Sequence, residues 1–307
     1  MIDEPLPYGL GALEDEPDPR DYPLDALYAA EDIEPTEPDA LPASYAAPGM
    51  PPVLDQGSSP MCVAFSSSAM KSWMDKRDQA HWFDFNEPAF FRQIGGTSAG
   101  ARVRDAMDRL LAAGYPPDPT HHKIAAYFAV PVTASAIKAA ILDLGPVIIS
   151  TPWYRSWFTP TRDGILRTPD VKVGGHAIVA YGWDNRGIRL RNSWGTDWGI
   201  GGDCWMPTVD LARVVGVWKA VDQVVHPIPW VKTVVVTASP VLRLRKLPRT
   251  SSPAIGSLPH GHRQVTRQLE KYAGAYRTAA GNRRTDWLQV NHGGHTGWIA
   301  RGYTRAV

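Results

Sequence analysis

Cys62 and Cys204 are the only cysteines in the 307-residue chain, so at most one disulfide can form and a disulfide-stapled scaffold is excluded. Long apolar runs are missing too, and none approaches the ~18 residues that a membrane span requires. The first residues, MIDEPLPYGLGALEDEPDPRDYP, lack both the positive flank and the continuous apolar stretch of a secretory leader. The expected location is the cytoplasm of the producing cell, or outside it by way of a virion, lysis or a specialised secretion route. Clustered metal-ligand spacing is also lacking: His121-His122 and the C-terminal histidines do not make a zinc site, so no metal and no cofactor is called for. Net charge is nearly absent, at +1.

That small sum hides a polarised chain. Residues 1–40 hold thirteen acids against Arg20, and residues 229–307 hold thirteen lysines and arginines against Glu270 and Asp286. The acidic stretch is also proline-rich and weakly periodic, which reads as an extension lying along a surface or solvated as a tail. The length is about twice that of a usual domain and leaves room for an appended module.

What is present in the middle of the chain carries chemistry. Ser58-Ser59-Pro60-Met61-Cys62 reads as a helix start, with Ser59 as N-cap and Pro60 at the first helical position. Phe65, Ala69 and Trp73 follow at spacings of four, the buried stripe of a helix running to about Gln79. Cys62 then sits in the first turn, where orphan N–H groups and the helix dipole favour a thiolate and lower its pKa. A free cysteine is as readily a small buried hydrophobe, so its partners decide. Val103 to Ala113 reads as a second helix, after the Gly95-Gly96 loop where a ligand backbone could approach closely. Val147 to Ser150 reads as a strand buried on both faces. His176 to Tyr181 and Ile188 to Asn192 read as two strands about an Asp184 to Gly187 turn. Antiparallel pairing there returns Asn192 to within a few residues of His176, and an amide beside an imidazole fixes its tautomer and orientation.

The blocks QGSSPMCVAF, GGHAIVAYG and NSWGTDWG, in that order, resemble the signature blocks of papain-like cysteine peptidases over residues 49–228. The resemblance implies Cys62 as nucleophile, His176 as general base and then acid, Asn192 as orienting amide and Gln56 as oxyanion donor. It further implies that Trp194 shields the Asn192 to His176 bond and that Gly95-Gly96 bonds an extended substrate backbone. Ser59 stands where secreted members carry a disulfide cysteine, Val63 replaces the usual Trp, and Pro60-Met61 replaces a small pair. None of these removes a catalytic group. Cys204, in Asp203-Cys204-Trp205-Met206, reads as a structural thiol in a core strand.

From about Val231 short strand signals with turns suggest a small β-barrel. They resemble a bacterial SH3-like domain, with Gly297-Trp298 and Tyr303 at its final GW and exposed aromatic. The resemblance and the positive charge imply an anionic cell-wall polymer or wall peptide as partner of residues 229–307, with nucleic acid a poorer fit. Solubility alone would also explain those cations.

The expected fold is α+β: an acidic extension over residues 1–48, a two-lobed papain-like peptidase over 49–228 and an SH3-like all-β barrel over 229–307. The expected function is cysteine endopeptidase activity on peptide or protein substrates through a Cys62 acyl-enzyme. The alternative is a binding or structural protein whose cleft is blocked by its own acidic extension, which could equally be an inhibitory pro-segment.

Overall fold

The computed structural model describes every residue except 1–5, 20, 32–33, 80–81, 117–121, 223–232, 247–249, 271–275, 279, 281, 285–286, 293–294 and 307. The expected boundary at 228–229 and His121 lie outside the described residues. The chain forms two units: Met1–Leu24 with Pro35–Asp222, and Asp25–Glu34 with Gln223–Val307.

In the first unit, strands β1 (Ala12–Leu13) and β2 (Tyr45–Ala46) precede helices α1 (Cys62–Gln79) and α2 (Glu87–Gln93). Strand β3 (Ala101–Arg102) leads straight into α3 (Val103–Ala113), followed by β4 (Ile124–Ala129), α4 (Ala134–Leu144) and β5 (Val147–Tyr154). Strands β6 (Lys172–Asp184), β7 (Gly187–Arg191), β8 (Asp203–Met206) and β9 (Gly216–Asp222) complete an antiparallel sheet ordered β4-β9-β5-β6-β7-β8, with β2 against β6.

Val63, Met70, Trp73 and Met74 of α1 pack into a core with Phe90, Met107, Leu110, Ile148 and Tyr181. Burial goes further than the apolar stripe implies, because every residue from Cys62 to Asp75 is buried. Three serines, Ser66 to Ser68, line the close-packed stretch, and two charges go inside as well. Lys71 Nζ donates to Asp75 and to Asp222 at 2.5 and 2.7 Å, and His122 Nδ1 lies 3.0 Å from Asp75. Buried charges survive only in such paired networks, so this set ties α1 to the end of β9.

The β6–β7 hairpin forms about the expected turn, where the Arg186 N–H donates to Asp184 Oδ1 at 2.8 Å. Strand β5 is buried through Val147 to Thr151, as a strand covered on both faces should be.

The acidic N-terminal stretch is not a solvated tail over residues 8–13. Strand β1 pairs in parallel with β3, Ala12 opposite Ala101 and Leu13 opposite Arg102. The reason is local: Tyr8-Gly9-Leu10-Gly11-Ala12-Leu13 is an uncharged island between acidic runs, and its two glycines allow close backbone approach. Among the described residues no helix is long and apolar enough to cross a membrane.

Among the described residues the second unit holds helix Leu24–Glu31 from Asp25 onward and nine strands, from Thr233–Val236 to Thr304–Ala306. Seven of them form one sheet path, running from Ala254–Pro259 at one end to Thr304–Ala306 at the other. Those end strands do not pair with each other among the described residues, so the expected closed barrel is not found. Alternating Val234, Val236, Leu242, Leu244, Leu288 and Val290 fill its core.

Candidate active site

The chain turns sharply through Gly57, Ser58 and Ser59 before α1, and Cys62 is the first helical residue. Ser59 is not its cap: the hydroxyl donates instead to the Gln56 carbonyl at 2.6 Å. The first helical bond runs from the Phe65 N–H to the Met61 carbonyl at 3.1 Å.

His176 stands on β6 opposite Thr151 of β5. Strand β7 stops pairing at Arg191, opposite Val179, and the next residue is Asn192. The Asn192 N–H donates to Gly202 at 2.9 Å, which turns its side chain to the imidazole. His176 Nε2 then lies 2.8 Å from Asn192 Oδ1. Because an amide oxygen only accepts, Nε2 carries the hydrogen and Nδ1 keeps its lone pair. Nδ1 makes no hydrogen bond among the described residues, nor does Asn192 Nδ2. The imidazole is thus a base with its free nitrogen unspent.

Trp194 covers this pair, its ring 4.6 Å from that of His176, and Asn192, His176 and Trp194 are all buried. Trp153 of β5 packs edge-on against the His176 ring at 4.8 Å and against Trp194 at 5.2 Å. Gln56 is buried near the α1 start, its Nε2 donating to the Ser59 carbonyl at 2.7 Å. Ser193 fixes the other end of that amide, its hydroxyl donating to Gln56 Oε1 at 2.7 Å. Sequence reasoning passed over Ser193 and Trp153, although Ser193 lies inside the NSWG block that contains Asn192.

Gly95 and Gly96 end α2: their N–H groups donate to Arg92 and Phe91, and a Cβ on Gly96 would strike the Phe91 ring. The backbone that meets an extended chain is further on. The Ala101 N–H donates to the Gly11 carbonyl at 2.9 Å, and Gly100, with φ +115°, is needed because a Cβ there would lie 1.8 Å from the Gly11 oxygen.

Residues 8–13 run through the cleft over Cys62. The Gly9 N–H donates to Gly57 at 2.9 Å, and the Gly9 carbonyl accepts from Gln56 Nε2 at 3.2 Å and Trp194 Nε1 at 3.3 Å. The Gly11 N–H donates to the Gly175 carbonyl at 3.0 Å. The segment therefore occupies the hydrogen-bonding groups that line the cleft on both sides, and Cys62 and His176 are fully buried.

That cover reverses the expected acidity of the thiol. Burial pushes Cys62 up to about 11, outweighing the N–H groups of Ala177, Gly11 and Val63 that favour a thiolate. Burial likewise pulls His176 down to about 4 despite its bond to Asn192. The covered pair is a neutral thiol and a neutral imidazole. Cys204, buried in β8, is held well above the ordinary thiol range by burial and by Asp203 beside it.

Residues 115–212 match the family profile described as Papain family cysteine protease. An uncharacterized peptidase C1-like protein of Acanthamoeba polyphaga mimivirus is 32% identical over 78 residues, covering 23% of this chain and 25% of that one. The chain thus spans about a quarter of the length of that curated relative. Xylellain, a cysteine protease from Xylella fastidiosa, superposes with a TM-score of 0.60 at 21% identity over 72% of this chain and 99% of its own. A procathepsin B from Trypanosoma congolense gives 0.55 at 16% identity over 70% and 87% of the two chains. The Carica candamarcensis cysteine protease CMS1MS2 gives 0.51 at 21% over 59% and 99%. The fold is papain-like.

Proposed function

We propose that this chain is a cysteine peptidase acting through an acyl-enzyme on Cys62 and held latent by residues 8–13. The observation that carries the reading is the 2.8 Å bond from His176 to Asn192, which leaves the opposite ring nitrogen free, one residue before Ala177, whose N–H bonds the Cys62 sulfur at the helix start. With the cleft open, Nδ1 takes the thiol proton and the thiolate attacks the substrate carbonyl. Gln56 Nε2, already aligned by Ser193 and now bonded to the Gly9 carbonyl, donates to the oxyanion. The imidazolium then protonates the leaving amine, and water activated by the same nitrogen hydrolyses the thioester.

The second reading is a binding protein whose cleft stays blocked, and the same segment favours it. A vinyl-sulfone thiol probe, located by mass spectrometry, separates the two. Labelling selective for Cys62, abolished by His176→Ala and accelerated in protein lacking residues 1–13, supports the latent peptidase. Labelling at the rate of an ordinary thiol in all three proteins ends that reading.

The second unit serves here as an SH3-like targeting module for an anionic wall polymer or peptide. Arg243, Arg245 and Arg277 rim a cavity of about 600 Å³ with Trp287 and Tyr303 in its wall, a lining suited to carboxylate or phosphate groups. Delivery outside the producing cell through a virion, lysis or a specialised route fits such a target.

A further inference from the structure

The buried network between α1 and β9 brings an amine, a carboxyl group and a second carboxylate to one point. Lys71 Nζ donates to Asp222 Oδ1 at 2.7 Å and to Asp75 Oδ1 at 2.5 Å, and the three side chains are at most 1% exposed. Asp222 stands on β9 opposite Ile124 of β4, which is itself fully buried. His122 Nδ1 lies 3.0 Å from Asp75 Oδ2, and the Phe83 and Phe85 rings stand 4.4 and 4.9 Å from its imidazole. Asp75 is therefore engaged through both oxygens. Asp222 is engaged through one, because its Oδ2 makes no hydrogen bond among the described residues.

This is the arrangement a condensation needs. Nζ is held in hydrogen-bond contact with the Asp222 carboxyl, whose carbon is one bond further on, so the reacting atoms are fixed as neighbours without a search. Burial pushes Asp222 up to about 6 against the pull of Lys71, with Asp75 adding to the rise. A protonated carboxyl accepts an amine; a carboxylate repels it. Asp75, on the same Nζ, is placed to take a proton from the nitrogen and to return it to the departing oxygen. The apolar surroundings keep bulk water from reversing the step.

We propose that Lys71 and Asp222 join in an intramolecular isopeptide bond, with Asp75 as the proton carrier. The structure shows the groups side by side before the bond is made. Nζ bonds to Asp222 Cγ and one Cγ–O bond breaks; that oxygen leaves as water with two hydrogens from the ammonium, passed on through Asp75. Nothing is oxidised or reduced. The bond closes a loop between residues 151 apart and fastens α1, which begins at Cys62, to the last strand of the first unit. Cys62 and Cys204 are both free, so the isopeptide supplies the long-range cross-link that a disulfide does not, and reductants leave it closed. The inference stands apart from the peptidase reading, since its chemistry uses none of Cys62, His176 and Asn192.

The test is mass spectrometry of the full-length protein, denatured after storage at neutral pH. The intact mass should fall short of the sequence mass by one water. Trypsin should then release residues 21–76 joined to residues 220–232 through Lys71 and Asp222, because it does not cut after an acylated lysine. A full sequence mass, with residues 21–71 and 220–232 recovered as separate peptides, overturns the proposal and leaves an ordinary buried ion pair. A missing water that maps elsewhere in the chain overturns it too.

Two variants of matched shape test the chemistry. Asp222→Asn should still close, with ammonia leaving in place of water. Asp75→Asn cannot take the proton from Nζ and should keep its full mass; closure as complete as in the parent protein would overturn the role of Asp75. The digest of the parent protein needs no substitution, so it decides the matter even where a variant fails to fold.

Discussion

At the scale of single residues, the helix start at Cys62 and the covering segment act on the thiol in opposite directions, and burial wins. The orphan N–H groups of a first turn lower a thiol by an amount that full desolvation readily exceeds, hence the value near 11. The pairing of His176 with Asn192 was legible in the sequence because a hairpin brings the two together. Ser193 was not, since a serine in a strand-end loop has no signature until its hydroxyl is seen on Gln56 Oε1. It is a positioning residue, and Ser193→Ala should leave Gln56 free to rotate. Steady-state kinetics on a peptide substrate should then show kcat lower by about tenfold with KM little changed. Recovery in Ser193→Thr, which restores the hydroxyl, would separate this role from a packing defect. A rise in KM at constant kcat would place Ser193 in substrate binding instead.

At the scale of elements, the cleft segment holds its place through its glycines. A Cβ on Gly9 would lie 1.9 Å from the Ser59 carbonyl oxygen, and one on Gly11 2.2 Å from that of Pro60. Both neighbours are backbone at the start of α1, so they cannot swing aside. Gly9→Ala should lift the segment, return water to Cys62 and bring its pKa down from about 11 toward the usual thiol range. Alkylation of Cys62 by iodoacetamide near neutral pH should quicken by about tenfold or more. An unchanged rate would mean that the segment does not control access. Sequence composition left a surface-lying extension and a solvated tail both open here, because acids and prolines on both sides of Tyr8 to Leu13 dominate any window that averages over the short apolar island. The Lys71, Asp75 and Asp222 network was hidden for a related reason: periodicity reports one apolar stripe, and nothing in it announces a helix buried on all sides.

At the scale of the whole molecule, burying His176 makes stability depend on pH. Folded His176 titrates at about 4 instead of 6.5, so between those values the unfolded chain binds a proton that the folded chain refuses. The group's contribution is complete above pH 6.5 and is lost progressively as pH falls toward 4. The full window corresponds to about 3 kcal/mol as an upper bound. Asp222 works the other way: burial raises it to about 6, so the folded chain keeps a proton that the unfolded chain releases, and stability is lost as pH rises toward that value. The two slopes oppose each other where they overlap, so the total curve would hide both. Urea denaturation of the intact protein and of His176→Gln between pH 7 and 4 isolates the first, because Asp222 is common to both. The difference in unfolding free energy should shrink in favour of the variant as pH falls, since glutamine has no proton to bind. Parallel pH profiles would mean that His176 is not desolvated in solution, and therefore that the segment over the cleft is open at rest.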